Sequence, residues 1–280
     1  MEGAGRGPYS AHMQFRLTAF SRLSLASLAL IAGFPAGTAL AAHAAKHVRK
    51  PKAEATEPAP PPGPPRPVLV ELYTSQGCSS CVPADALMAQ LADRRDLIAL
   101  SLPITYWDML GWKDTLASAA NTSRQKAYAE SMGRGGVYTP QMIVDGVDDL
   151  VGSREQAIDA AIGVREGDMQ AVPVSVATTD KEVHIDVGAG EGSSATIWLF
   201  RILPKATVTI TAGENGGRTM TYHNVVQDVK AVGLWKGQPV SLDLPRQEIG
   251  GAPKDEIAVI VQKNGYGRVI GAALVTKPAL

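Results

Sequence analysis

The sequence predicts an α/β domain, a mixed sheet with flanking helices, followed by a β-rich, sandwich-like domain. Three observations carry this. Between residues 68 and 170, short apolar runs of strand length alternate with stretches whose apolar residues recur at helical spacing. After residue 170 the helical spacing disappears, and β-like runs follow one another with Gly, Asn, Asp and Pro between them. The two cysteines of the chain, Cys78 and Cys81, fall where the first strand hands over to the first helix.

Val68 to Tyr73 is a β-rich run of the kind expected in a buried parallel strand. Thr74-Ser75-Gln76-Gly77 then turns the chain and delivers Cys78. Beyond Pro83, the residues Ala84, Leu87, Met88 and Leu91 line one face of a helix, with the proline tolerated in its first turn. Leu97 to Leu102 is a second buried strand, stopped by Pro103. Ile104 to Trp112 is aromatic and irregular. A helix is expected from about Thr115 to Met132, broken by Gly133, Gly135 and Gly136. Gln141 to Val144 is a third strand, and Asp145-Gly146 signals a hairpin whose partner is Val147 to Val151. Ser153 and Gln156 suggest a capping box for a helix carrying Ile158, Ala161 and Ile162. Strands alternating with helices imply βαβ units, and an ending of hairpin plus helix is the thioredoxin-like pattern.

Eight β-like runs follow: Val172 to Ala177, Glu182 to Val187, Ala195 to Leu203, Thr207 to Thr211, Arg218 to Val226, Pro239 to Leu244, Glu256 to Lys263 and Arg268 to Val275. Their close punctuation argues for an antiparallel sandwich, with Asn264-Gly265 as a hairpin turn between the last two.

Residues 1–42 read as a signal peptide. Arg16 and Arg22 precede the apolar run Leu23 to Phe34, and the small residues around Ala39 to Ala44 match an A-x-A cleavage pattern. The run is too short to span a bilayer of roughly 30 Å as a helix. Export to the periplasm or the extracellular space is the expectation, with no membrane attachment once the leader is removed. Residues 43–67 form a proline-rich linker, with seven prolines among the ten residues from Pro58 to Pro67. Such a run favours extended polyproline II and buries little apolar area. Lys+Arg and Asp+Glu both count 27, so no bulk charge points to a nucleic-acid partner.

The chemistry centres on Cys78-Ser79-Ser80-Cys81. Attack on a disulfide needs a thiolate, and a helix N-terminus stabilises that anion with unpaired N–H groups. Cys78 at the exposed mouth is the expected nucleophile, and Cys81, one turn in, resolves the mixed disulfide. Three features join them as candidate site residues. Glu71 is the only charge in the first strand, and a buried carboxylate there would shuttle the resolving thiol's proton, with a strand-edge Glu facing solvent as the alternative. Thr139-Pro140 precedes the third strand, where a cis proline would bring backbone beside the sulfurs, with an ordinary trans proline opening the strand as the alternative. Tyr106, Trp107 and Trp112 are placed to wall a substrate cleft, with plain core packing as the alternative.

These segments resemble a known family. VLVELYTSQGCSSCVPAD from Val68 to Asp85, ITYWDMLGWKD from Ile104, VYTPQMIVDG from Val137 and GRTMTYHNVV from Gly217 are similar to exported bacterial thioredoxin-like proteins of domain of unknown function 1223. The resemblance covers nearly all of residues 68–275. It implies a thioredoxin-like domain over 68–170 and a β-rich domain over 171–280, and it implies no substrate. Against ordinary thioredoxins, Glu71 sits one residue further from the first cysteine, and Ser79-Ser80 replaces Gly-Pro. Cys78 and Pro140 are 62 positions apart, which marks an insertion of helical and aromatic character.

The leading expectation is a thiol–disulfide oxidoreductase acting on protein or small-molecule thiols and disulfides, with a redox partner the sequence does not name. A copper-handling protein on the same fold is one alternative. It needs soft ligands near the cysteines, and of the histidines only His43, His47, His184 and His223 follow the leader, none inside the thioredoxin-like segment. A binding module whose β domain does the work is another, with His223 as a possible marker and the disulfide purely structural. No phosphate loop, H-E-x-x-H or G-x-S-x-G motif is present, so no cofactor and no metal is expected.

Overall fold

The computed structural model describes residues 66–168, 172–192, 194–252 and 255–275. The expected leader and all but the last two residues of the 43–67 linker lie outside them. Arg66 closes the linker and is buried, with its guanidinium on the carboxylate of Asp145. That pair fixes where the chain enters the fold.

Strand β1 (Val68–Thr74) and β2 (Leu97–Pro103) pair in parallel, with helix α1 (Val82–Ala92) as the crossover. Helix α2 (Ala119–Ser131) leads to β3 (Gln141–Val144), which runs antiparallel to β1, and β4 (Asp148–Val151) closes that edge. Helix α3 (Glu155–Arg165) follows. All seven residues of β1 are buried because both its faces are covered. Val68, Val70 and Leu72 pack with Ala84, Leu87 and Met88 of α1 and with α3. Leu69 and Tyr73 point the other way, toward Tyr128 of α2.

Beyond residue 172 come β5 (Val174–Thr178), β6 (Glu182–Val187), β7 (Ala195–Thr209), β8 (Thr219–Trp235), β9 (Val240–Pro245), the short helix α4 (Arg246–Ile249), β10 (Glu256–Lys263) and β11 (Val269–Val275). β7, β8, β10 and β11 extend the first sheet, giving eight strands in the order β11-β10-β7-β8-β2-β1-β3-β4. A second sheet, β5-β6-β9, buries Val183, Ile185 and Val187 against Ile197, Val259 and Trp235. The eight-stranded sheet therefore takes strands from both sides of residue 170.

β2 and β8 meet at a single ladder pair, Ser101 with Val225. Side chains reinforce it: Ser101 Oγ donates to the His223 carbonyl at 2.8 Å and Asn224 Nδ2 to the Ala99 carbonyl at 2.9 Å. Asn224 holds a left-handed backbone, φ 48°, so its amide serves the neighbouring strand while its own strand bends.

Several elements differ from the sequence expectation. The run Ala195–Leu203 and the first three residues of the run Thr207–Thr211 form one fifteen-residue strand, β7, through Pro204. Leu203 pairs with Val225 and Lys205 with His223, so Pro204 falls opposite Asn224, where the ladder needs no N–H from it. β8 continues nine residues past Val226 because the first half of β7 lies beside it. Helix α2 starts at Ala119, where Ser118 Oγ accepts from the Asn121 N–H at 3.1 Å. At α3 the N-cap is Arg154, without a side-chain capping bond, in place of the Ser153–Gln156 box. The Asp145-Gly146 turn forms with both residues at positive φ. A Cβ on Gly146 would stand 2.2 Å from the Gly267 carbonyl oxygen, so this turn is packed against the β10–β11 connection and admits only glycine.

Candidate active site

Cys78 ends the turn after β1, and Ser79–Cys81 form a 3-10 turn that runs straight into α1. The two cysteines are joined as a disulfide with Cα atoms 5.4 Å apart. Both are fully buried, while Ser79 and Ser80 between them are exposed.

The turn is built from side-chain contacts as much as from backbone. Ser75 Oγ accepts from the Gly77 N–H, and the Gln76 N–H donates to Asp114 Oδ2 at 2.8 Å. Gln76 Oε1 accepts from Trp112 Nε1 at 2.8 Å. The aromatic insert between β2 and α2 is thereby clamped to the cysteine turn. Burial raises the Asp114 carboxyl above its ordinary range, opposed by the Gln76 and Leu116 N–H groups.

Trp107 Nε1 donates to Thr139 Oγ1 at 2.8 Å, and Thr139 Oγ1 donates to Cys78 Sγ at 3.5 Å. Two dipoles in series thus point at the first sulfur, and Ser80 Oγ also lies 3.2 Å from it. The Thr139–Pro140 bond is cis. Tyr106 sits near Gln125 and Thr139, and burial raises its phenol pKa. Of the residues singled out in the sequence, the structure thus brings Thr139 and Trp112 to the cysteine turn by direct bonds, and Trp107 through Thr139.

Glu71 is placed elsewhere. On a strand, neighbours point to opposite faces, and Glu71 shares the α2 face with Leu69 and Tyr73, not the α1 face. Its carboxylate accepts from Arg124 Nε at 2.6 Å and from Tyr128 Oη at 2.6 Å. Arg124 is itself buried, with its guanidinium about 5 Å from the ring centroids of Tyr128, Trp198 and Phe200. This is a closed internal ion pair linking α2 to both halves of the sheet.

A different carboxylate stands on the cysteine side. Asp85 lies one turn after Cys81 on the buried face of α1, a spacing that brings Cβ atoms to about 5–6 Å. Thr74 Oγ1 donates to Asp85 Oδ1 at 2.7 Å, while Oδ2 is buried with no hydrogen-bond partner among the described residues. Burial pushes the carboxyl up to about 8, against the Thr74 bond and with help from the nearby charge of Asp114.

The long β7–β8 hairpin brings its tip to the same place. Asn215 Nδ2 donates to the Gln76 and Cys78 carbonyls at 2.9 and 3.0 Å, and Glu214 Oε2 accepts from the Ser79 N–H at 3.0 Å. That bond lowers the pKa of the Glu214 carboxyl. Neither residue carries a local sequence signal, since each lies more than 130 positions from its partner. Among the described residues no group of His, Cys, Asp and Glu is arranged to hold a metal ion, and no helix is long and apolar enough to cross a membrane.

The profile of the family described as "Protein of unknown function (DUF1223)" matches residues 69–262, which includes every residue of this site. The chain belongs to the DUF1223 family. A crystal structure of protein AGR_C_4864 from Agrobacterium tumefaciens is 36% identical, covering 76% of this chain and 96% of that one, with a TM-score of 0.68. HBP35 of Porphyromonas gingivalis is 12% identical over 75% of each chain with a TM-score of 0.52, a likeness of fold alone. Among curated proteins the chain finds no match.

Proposed function

We propose that this DUF1223 chain is an exported thiol–disulfide oxidoreductase, with a thioredoxin-like domain over 68–170 carrying the Cys78–Cys81 centre and a β-rich domain over 171–280. The observation that carries the reading is the position of the pair: Cys78 caps the helix start, with the Trp107–Thr139 relay aimed at its sulfur. Helix N–H groups and that hydroxyl both favour a thiolate at Cys78.

In one direction, an incoming thiolate attacks Cys78 Sγ, the bond to Cys81 breaks, and Cys81 leaves as a thiolate. Asp85 holds a proton at neutral pH and hands it to that sulfur. A second thiolate of the substrate then displaces Cys78, leaving the substrate oxidised and the pair reduced. In the other direction Cys78 attacks a substrate disulfide, Asp85 takes the proton of Cys81, and Cys81 resolves the mixed disulfide. The substrates are protein or small-molecule thiols and disulfides. The proton role falls to Asp85 because Glu71 is held by Arg124 on the far face of the sheet.

The burial of both sulfurs favours a second reading, in which the disulfide is structural and only shapes the turn. Redox titration in glutathione buffers, following free thiols, separates the two. A midpoint between roughly −270 and −120 mV supports the oxidoreductase, and one below about −300 mV overturns it in favour of the structural bridge.

A further inference from the structure

The β7–β8 tip is a polar loop on a partly exposed stem, with the buried Ile210 at its base. Ile210 and Arg218 close it through backbone bonds of 2.9 Å and, with Gly217, 2.8 Å, and the stem below carries the exposed pairs Thr207–Thr221 and Thr209–Thr219. Within residues 211–218 a single side chain is buried, and it is polar: Asn215, 1% exposed. Its amide donates to two carbonyls of the cysteine turn, and its Oδ1 is left without a partner among the described residues. Next to it, Glu214 occupies the Ser79 N–H at the start of the cysteine helix. Gly213, at φ +74°, lies so close to the insert that a Cβ would stand 3.1 Å from Trp112 Cβ.

We propose that this tip is a lid over the Cys78–Cys81 disulfide, latched by Asn215 and Glu214, and that a thiol reaches Cys78 only when the latch opens. The inference rests on the reading of the pair as an exchanging centre and adds how access to it is controlled. Exchange needs a thiolate to approach the sulfur along the S–S axis, and with the lid closed neither sulfur meets solvent. With the hinge beyond Ile210, which is buried and keeps its place, opening frees backbone carbonyls, one N–H and two polar side chains, all of which water satisfies. Closing favours the oxidised form in particular. After reduction a thiolate at Cys78 stands beside the Ser79 N–H, and the Glu214 carboxylate bound there meets a like charge.

The test is the rate of reduction of the full oxidised protein by excess dithiothreitol, which becomes the cyclic disulfide as the two cysteine thiols form. Asn215→Asp keeps the size of the side chain and replaces the donor with an acceptor facing two carbonyls. We expect this variant to be reduced at least about tenfold faster than wild type at pH 8, as for the loss of two hydrogen bonds. Relative to wild type at the same pH, the gain shrinks near pH 4, where the aspartic acid regains a proton to donate. A second measurement needs no variant: the wild-type disulfide should be reduced at least about tenfold more slowly when folded than in guanidinium, matching a closed latch. Equal rates for folded wild type and folded Asn215→Asp overturn the lid, as does a wild-type rate the same in both states. The glutathione midpoint judges the oxidoreductase reading separately, since these rate ratios do not depend on it.

Discussion

Thr74 and Asp85 are joined by a 2.7 Å hydrogen bond that ties the last residue of β1 to the first turn of α1. The bond satisfies one oxygen of a buried carboxyl, and burial still pushes the group up to about 8. In the unfolded chain the same carboxyl titrates near about 4. Below that value both states are protonated and the native state loses nothing. Between about 4 and 8 the folded protein keeps a proton that the unfolded chain releases, so stability falls as pH rises, by about 1.4 kcal/mol per unit at most. Asp85→Asn should remove this contribution, so that its urea midpoint declines less than that of wild type between pH 5 and 9. Parallel declines would mean that Asp85 is ionised in the folded protein.

Glu71 and Asp85 make opposite predictions for the site. Glu71→Gln leaves the Arg124 guanidinium buried against aromatic rings without its counter-charge, a change that costs about 3–5 kcal/mol when a buried pair loses one member. The damage is to the α2 face of the sheet, so the redox midpoint should stay within a few millivolts of wild type. A large shift in midpoint with little loss of stability would return the proton role to Glu71.

The cysteine pair, the Thr139-Pro140 step and the aromatic insert were legible because each is a contiguous stretch with its own chemistry. The face on which Glu71 sits follows from strand parity. A slip of one residue reverses the side of a sheet, and Glu71 lies on the same face as Leu69 and Tyr73, opposite Val70 and Leu72. Asp85 was hidden by its position in a helix, where an acid in the first turn reads as ordinary dipole compensation. Asn215 and Glu214 had no sequence signal at all. Their role depends on Pro204 being passed by a single long strand, and proline there reads as a break. The lengths of β7 and β8, set by pairing rather than by composition, decide that the tip lands on the cysteine turn.

Thr139→Val keeps the shape of the side chain and deletes both the donor to Cys78 and the acceptor of Trp107 Nε1. The half-buried indole N–H is left unpaired, at a cost of about 1–3 kcal/mol, visible in the urea midpoint. In the reduced protein the thiolate loses a hydrogen bond, so alkylation of Cys78 by iodoacetamide at pH 7 should slow severalfold. Unchanged alkylation would show that the hydroxyl does not face the reduced sulfur.

In the proposed exchange, the order of attack follows from where each sulfur is attached. Cys78 precedes the helix and has the Thr139 and Ser80 hydroxyls at its sulfur, whereas Cys81 is the N-cap of α1, one turn before the buried Asp85. Under the proposed lid, lifting the tip exposes the first sulfur and leaves the second in place. A Cys81→Ala variant keeps the attacking thiolate and loses the resolving one, so it should accumulate mixed disulfides with substrate thiols, detected as adducts lost on reduction. A Cys78→Ala variant retains one buried thiol beside a carboxyl that disfavours its ionisation while charged, and should trap almost none. Trapping by Cys78→Ala alone would reverse the assignment, and it would also remove the reason for Asp85 to serve Cys81, since the sulfur that attacks is not the one that needs its proton held.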